Sequence, residues 1–103
     1  MASRLNLQRE LEDIIGSENV YFQPPASFYM NYPCIWYTLR RPDTKKADNV
    51  RYLHTKHYQL IFITEDGETE IPDKILNHFP LSSMSSAPYA EDGLYHYPID
   101  LYY

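Results

Sequence analysis

The chain has 103 residues and a formal net charge of −5, a length that supports a single domain with one hydrophobic core rather than two. Residues scored hydrophobic make up 44% of it, but 11 of them are tyrosines, whose apolar ring and polar tip suit half-wet strand faces and subunit contacts. The acidic balance excludes a general polyanion binder, the lone Cys34 excludes an internal disulfide, and no apolar run approaches the roughly 20 residues of a membrane span.

Residues 1–16 carry charges throughout and lack the continuous apolar run of a secretory signal, so a soluble chain made in the cytoplasm, with no membrane association, is expected. Ser3 can cap a helix from about Arg4 to Ile15, in which Leu7, Leu11, Ile14 and Ile15 form one apolar stripe that a sheet must cover, and Gly16 supplies the stop. Asn19–Phe22 reads as a short strand with Val20 and Phe22 on one side. The run Glu-Asn-Val-Tyr-Phe-Gln at 18–23 resembles a cleavage sequence used in expression tags. Val20 in place of leucine, Pro24 after Gln23, and a position between a helix and a strand exclude that reading. Pro24-Pro25 forces an extended corner.

Pro33–Leu39 is a second strand, with Cys34, Trp36 and Thr38 on one face and Ile35, Tyr37 and Leu39 on the other. Residues 40–49 form a loop by composition. The strand around which the chain is organised is His57–Ile63, where Tyr58, Leu60 and Phe62 alternate with His57, Gln59, Ile61 and Ile63; its start lies as early as Arg51. Asp66-Gly67 ends it. A short helix follows from Ile71 to about His78, with Pro72 in its first turn and Asp73 at its positive end. Leu81–Tyr89, with four serines and Pro88, is an edge strand at best. Glu91-Asp92-Gly93 is a turn, and Leu94–Tyr103 alternates as a final strand, so Asp-Gly between extended runs signals a hairpin. The whole is an α+β domain: a mainly antiparallel sheet, an N-terminal helix packed on one face, and a second short helix.

Residues that carry chemistry are sparse. Cys34 lies within a strand, not at a helix start, and no histidine is near in sequence, so it reads as a small core hydrophobe. Of His54, His57, His78 and His96, the first two are three apart on an extended run and point to opposite faces, a poor metal pair. Glu65, Asp66, Glu68 and Glu70 are dense but lack calcium-loop spacing. There is no phosphate-cradling loop and no nucleophile–base motif, so neither a catalytic residue nor a metal or cofactor is expected. An enzyme built on Cys34 or the histidines has almost nothing behind it.

Charge is segregated along the chain. Residues 40–56 hold Arg40, Arg41, Lys45, Lys46, Arg51 and Lys56 against two acids, whereas residues 65–73 hold five acids and no base. The basic run is readable as a solvated loop or, with Tyr37 and Tyr52 nearby, as a nucleic-acid contact, although no binding-fold signature accompanies it. A third reading uses both runs. Arg40, Arg41, Lys45 and Lys46 of one protomer would meet Glu65, Asp66, Glu68 and Glu70 of the next, head to tail, and such a contact builds a ring when its rotation closes. Reversing Lys45 and Lys46 to Glu is expected to weaken assembly at low salt; an unchanged oligomer mass would count against the contact.

Several stretches taken together resemble a known family. They are Arg4-Leu5-Asn6-Leu7-Gln8, Gly16-Ser17, Asn19-Val20-Tyr21-Phe22-Gln23-Pro24-Pro25, Met30-Asn31-Tyr32-Pro33-Cys34-Ile35, Ile71-Pro72-Asp73-Lys74-Ile75 and Leu101-Tyr102-Tyr103. Their order and spacing are similar to the small tail terminator, tail completion or minor capsid proteins encoded in the structural gene clusters of long-tailed bacteriophages. The resemblance implies an α+β protein that forms a hexameric ring, caps the finished tail tube, presents a surface to the head's connector and lets the genome pass through its lumen. It implies no catalysis. The partners expected are further copies of the chain, the major tail tube protein, head-closure or connector proteins, and DNA in passage only, with a location in the virion at the head–tail junction. The competing expectations are a head-closure or minor capsid protein on the portal side, and a small nucleic-acid-binding protein using residues 40–56.

Overall fold

The computed structural model describes residues 3–40 and 55–103. In chain order these contain α1 (Arg4–Ile15), β1 (Val20–Phe22), β2 (Cys34–Leu39), β3 (His57–Thr64), α2 (Ile71–His78), β4 (Ser82–Met84), β5 (Tyr89–Glu91) and β6 (Leu94–Tyr102). The α+β arrangement expected from the sequence is present. Six strands form one mixed sheet in the order β1-β2-β3-β6-β4, with β5 also on β6.

Local chemistry sets the helix ends. Ser3 is extended, and its hydroxyl oxygen accepts from the Asn6 amide, satisfying one orphan donor of α1. Gly16 takes φ +68°, and its N–H closes the last turn onto the Glu12 carbonyl. Leu7 and Leu11 are fully buried, and Ile14 and Ile15 lie at the core's margin. In α2, Pro72 fills a first-turn position that needs no donor, and Ile75 reaches the core.

The register fixes which side chains meet. β2 places Ile35 opposite Phe62 and Tyr37 opposite Leu60, and β6 places Tyr97, Ile99 and Leu101 opposite Phe62, Leu60 and Tyr58. Partners across a ladder share a face, so these residues, with Val20 from β1, make one apolar layer under α1 and α2. The opposite face carries Trp36, Ile61 and Pro98 in one row and Thr38, Gln59, Asp100 and Ser83 in the next.

Three details go beyond the sequence reading. β1 pairs with β2 in parallel, not antiparallel. Residues 23–33 carry the chain back from the end of β1 to the start of β2, and the Phe28 ring packs edge-on against Tyr21 at 4.9 Å. The central strand begins at His57, and Thr55 and Lys56 are not part of it; the rest of the earlier start considered from Arg51 lies outside the described residues. The serine-rich run yields two short strands rather than one edge. β4 and β5 both pair with β6, but residues 85–88 bulge out between them, opposite Tyr97 and Pro98. Pro98 has no N–H to give to an edge strand, and its carbonyl accepts from the Ser85 amide. The ladder therefore breaks there. Asp92 and Gly93 take φ +54° and +75°, the paired positive values of a tight hairpin turn.

Candidate functional site

Cys34 is fully buried in β2, and burial pushes its thiol up to about 12. His57 stacks on Tyr102 with ring centroids 4.6 Å apart, and its Nε2 lies 3.1 Å from an Asp100 carboxylate oxygen. His96 stacks flat on Tyr89, and His78 contacts Glu10 at 2.8 Å. His54 lies outside the described residues. Among the described residues no three His, Cys, Asp or Glu side chains converge as a metal site.

Glu10 forms a clasp on the helix face. The Tyr103 hydroxyl donates to one of its carboxylate oxygens while His78 meets the other, tying the end of the chain to α1. Burial pushes the Glu10 carboxyl up, but the bonds from Tyr103 and His78 and the nearby imidazole outweigh it and hold the group below its ordinary value. Burial, then the bond to Glu10 and its charge, pushes the Tyr103 phenol up to about 12.

The described members of the two charged runs occupy opposite ends of the sheet. Arg40 follows β2, is exposed, and donates its amide to the His57 carbonyl at the start of β3. Lys56, also exposed, exchanges both backbone bonds with Tyr103 at that same end. Arg41, Lys45 and Lys46 lie outside the described residues. Glu65, Asp66, Glu68 and Glu70 stand exposed in the loop that leaves the far end of β3, about 23 Å away along an eight-residue strand.

Two more acids join them that the sequence reading passed over. Glu91 and Asp92 form the β5–β6 turn, and β6 pairs Tyr95 with Thr64, so this turn sits beside the 65–70 loop. The signal was available in the two Asp-Gly turns at 66–67 and 92–93, once β3 and β6 are taken as antiparallel neighbours. Among the described residues, none of these six carboxylates has an ion-pair partner, and neither do Arg40 and Lys56. An open cleft beside the acidic loop is lined by Tyr32, Pro33, Thr64, Glu65, Asp66 and Thr69.

The arrangement suits contact with another macromolecule rather than enclosure of a small molecule. Like charges gathered at one end repel one another, and the cost is relieved when an opposite charge docks. Comparisons of the chain with protein-family models, with curated proteins and with solved structures find no match. No helix among the described residues is long and apolar enough to cross a membrane.

Proposed function

We propose that this chain is a structural assembly protein that joins head to tail with copies of itself into a ring, in the manner of the tail terminator and tail completion proteins of long-tailed bacteriophages. The observation that carries the reading is the placement, at opposite ends of one sheet, of carboxylates and cations that have no ion-pair partner among the described residues. A contact between two different ends of one molecule is heterologous, and it repeats until rotation closes it. Complementary charge selects the orientation and speeds encounter more than it adds affinity, and it weakens as salt rises. The sequence resemblance supplies the setting: a ring, six-fold in that family, on the tail tube at the head–tail junction of a virion. There the chain would contact the major tail protein on one side and head-closure or connector proteins on the other, with DNA passing through and no substrate turned over.

The test is mass measurement of the purified chain with and without isolated tail tubes, followed by its localisation in intact particles. A ring mass on tube ends is expected. Binding to the portal complex and not to the tube would move the protein to the head side. Absence from particles altogether would end the proposal.

A further inference from the structure

We infer that the exposed aromatic rings gathered at the acidic end anchor the contact between copies, and that they seat Arg40 and Lys56 of a second copy of this chain. The inference rests on the assembly reading above and names the side chains that would make the contact.

The exposed large apolar side chains include Phe28 and Tyr29 of the 23–33 segment and two rings at the acidic end. Tyr32 and Tyr95, 37% and 41% exposed, stand beside the acidic loop. Tyr32 shares the open cleft with Glu65 and Asp66. Tyr95 pairs with Thr64, the last residue of β3. Tyr89 pairs with His96, so it lies on the other face of the sheet, its ring stacked on that imidazole. At the opposite end the exposed apolar residues are Leu5 and Leu39. Leu39 adjoins Arg40, and Leu5 follows Arg4, whose guanidinium reaches Phe22 and Tyr37 near the end of β2.

A ring face beside a carboxylate is a receptor for a guanidinium or ammonium. The cation meets the negative face of the ring, the carboxylate supplies its counter-charge, and the methylene stem packs on the ring edge. The chain uses this chemistry internally: the Arg4 guanidinium carbon sits 4.4 Å from the Phe22 ring centre while its Nη1 donates to the Tyr37 hydroxyl. At the acidic end the rings and carboxylates are present, and among the described residues no cation, Lys74 of the adjoining helix included, pairs with those carboxylates. The matching cations stand at the other end of the same sheet, too far to reach within one molecule. The complement of each end is therefore the other end of another copy. Gly67 contributes to the receptor, because a Cβ there would lie 2.9 Å from the Tyr95 ring. Glycine lets that ring lie against the loop backbone among the carboxylates.

The test uses two full-length variants in sedimentation velocity, from micromolar to millimolar protein at low and high salt. Tyr32→Ala with Tyr95→Ala disables the acidic end, and Arg40→Glu with Lys56→Glu disables the basic end. The wild type should associate at low salt and dissociate at high salt. Each variant alone should associate at least about tenfold more weakly. An equimolar mixture should form a one-to-one dimer and nothing larger, since each variant keeps one competent end. A wild type that stays monomeric throughout, variants that associate as the wild type does, or a mixture without dimer each overturn the inference. If the double tyrosine variant does not fold, Tyr95→Lys at the exposed ring takes its place with the same expected outcomes. Wild-type association that obeys these rules without any binding to tail tubes would sink the phage reading and leave the contact standing. Variants that cap tubes as well as the wild type would do the reverse.

Discussion

Replacing Gln8 with alanine tests how the uncovered edge of the sheet is held to α1. The Gln8 side-chain oxygen accepts from the hydroxyl of Tyr37 at 2.5 Å, and its amide donates to the Val20 carbonyl at 2.7 Å and to Glu12 at 3.0 Å. Tyr37 is fully buried, and its hydroxyl also accepts from Arg4. Gln8→Ala leaves a buried hydroxyl with a proton and no acceptor, which costs about 1–3 kcal/mol, on top of roughly 1 kcal/mol for the Val20 bond. The expected total is about 2–4 kcal/mol, or about 10–30 °C in Tm for a domain of this size. Tyr37→Phe should cost less, about 1 kcal/mol, because Gln8 and Arg4 are only partly buried and turn to water. Once the hydroxyl is gone, losing Gln8 strands nothing in the core. The double variant should therefore be about 1 kcal/mol more stable than the sum of the singles implies. Urea unfolding of the four proteins, compared at equal m-value, measures the cycle. Strict additivity, or a Gln8→Ala loss below about 0.5 kcal/mol, would mean that the hydroxyl finds another acceptor and that this network does not hold the edge.

Leu60→Ala, at a fully buried site between Tyr37 and Ile99, should cost about 2–5 kcal/mol by denaturant titration; a loss under 1 kcal/mol would place the core elsewhere. Tyr103 stays protonated in the folded chain up to about 12 against an ordinary 10.0, so its contribution is complete below pH 10 and is lost as pH rises through the folded value. Tyr103→Phe should flatten the fall in stability between those limits, with a residual slope from Tyr37 and Tyr58, whose phenols burial also pushes up; an unchanged slope would refute the clasp. Glu10 has the opposite sign: held low, it stabilises above its ordinary value of 4.5 and loses that as pH falls through the folded value. Glu10→Gln should thus lose more stability at pH 7 than at pH 3, and an equal loss at both would count against the pairing. Cys34, buried and with its thiol pushed up, should resist iodoacetamide at pH 8 until the chain unfolds; fast native-state alkylation would contradict its place in the core.

The sequence made the periodic elements legible because their side chains sort themselves by face. Alternation along 57–63 identified the buried trio Tyr58, Leu60 and Phe62, and Ser3, Gly16 and Pro72 marked helix ends through local backbone chemistry. Asp92-Gly93 announced its turn because only a few residue types tolerate paired positive φ. Pairing partners were not legible. Nothing local says that Val20–Phe22 runs parallel to Cys34–Leu39, since that depends on where residues 23–33 return the chain. The effect of Pro98 needed its neighbours as well: a proline is harmless in a strand's side chain pattern, and its missing donor matters only where an edge strand would ask for it. The candidate surface divided in the same way. Glu65, Asp66, Glu68 and Glu70 could be singled out by density, but Glu91, Asp92 and Tyr95 join them only through the β3–β6 register, and Tyr32 only through the cleft it shares with Glu65 and Asp66.

That register bears on how copies of this chain can grow together. An open sheet invites addition of strands at its edges, and repeated addition makes fibres rather than closed assemblies. Both edges are obstructed here. On one side the Gln8 amide already occupies the outward Val20 carbonyl of a three-residue strand. On the other, the ladder to β6 is cut in two opposite Pro98, and Pro88 lies within the bulge. With the edges blocked, the two ends of the strands carry, among the described residues, exposed charge of opposite sign. A molecule whose two ends differ cannot satisfy itself by a two-fold contact between like ends, because that would bring carboxylate to carboxylate. A contact between unlike ends instead sets Arg40 and Lys56 of one copy against the carboxylates of another, and under the proposed head-to-tail geometry each added copy would leave one free end of either kind.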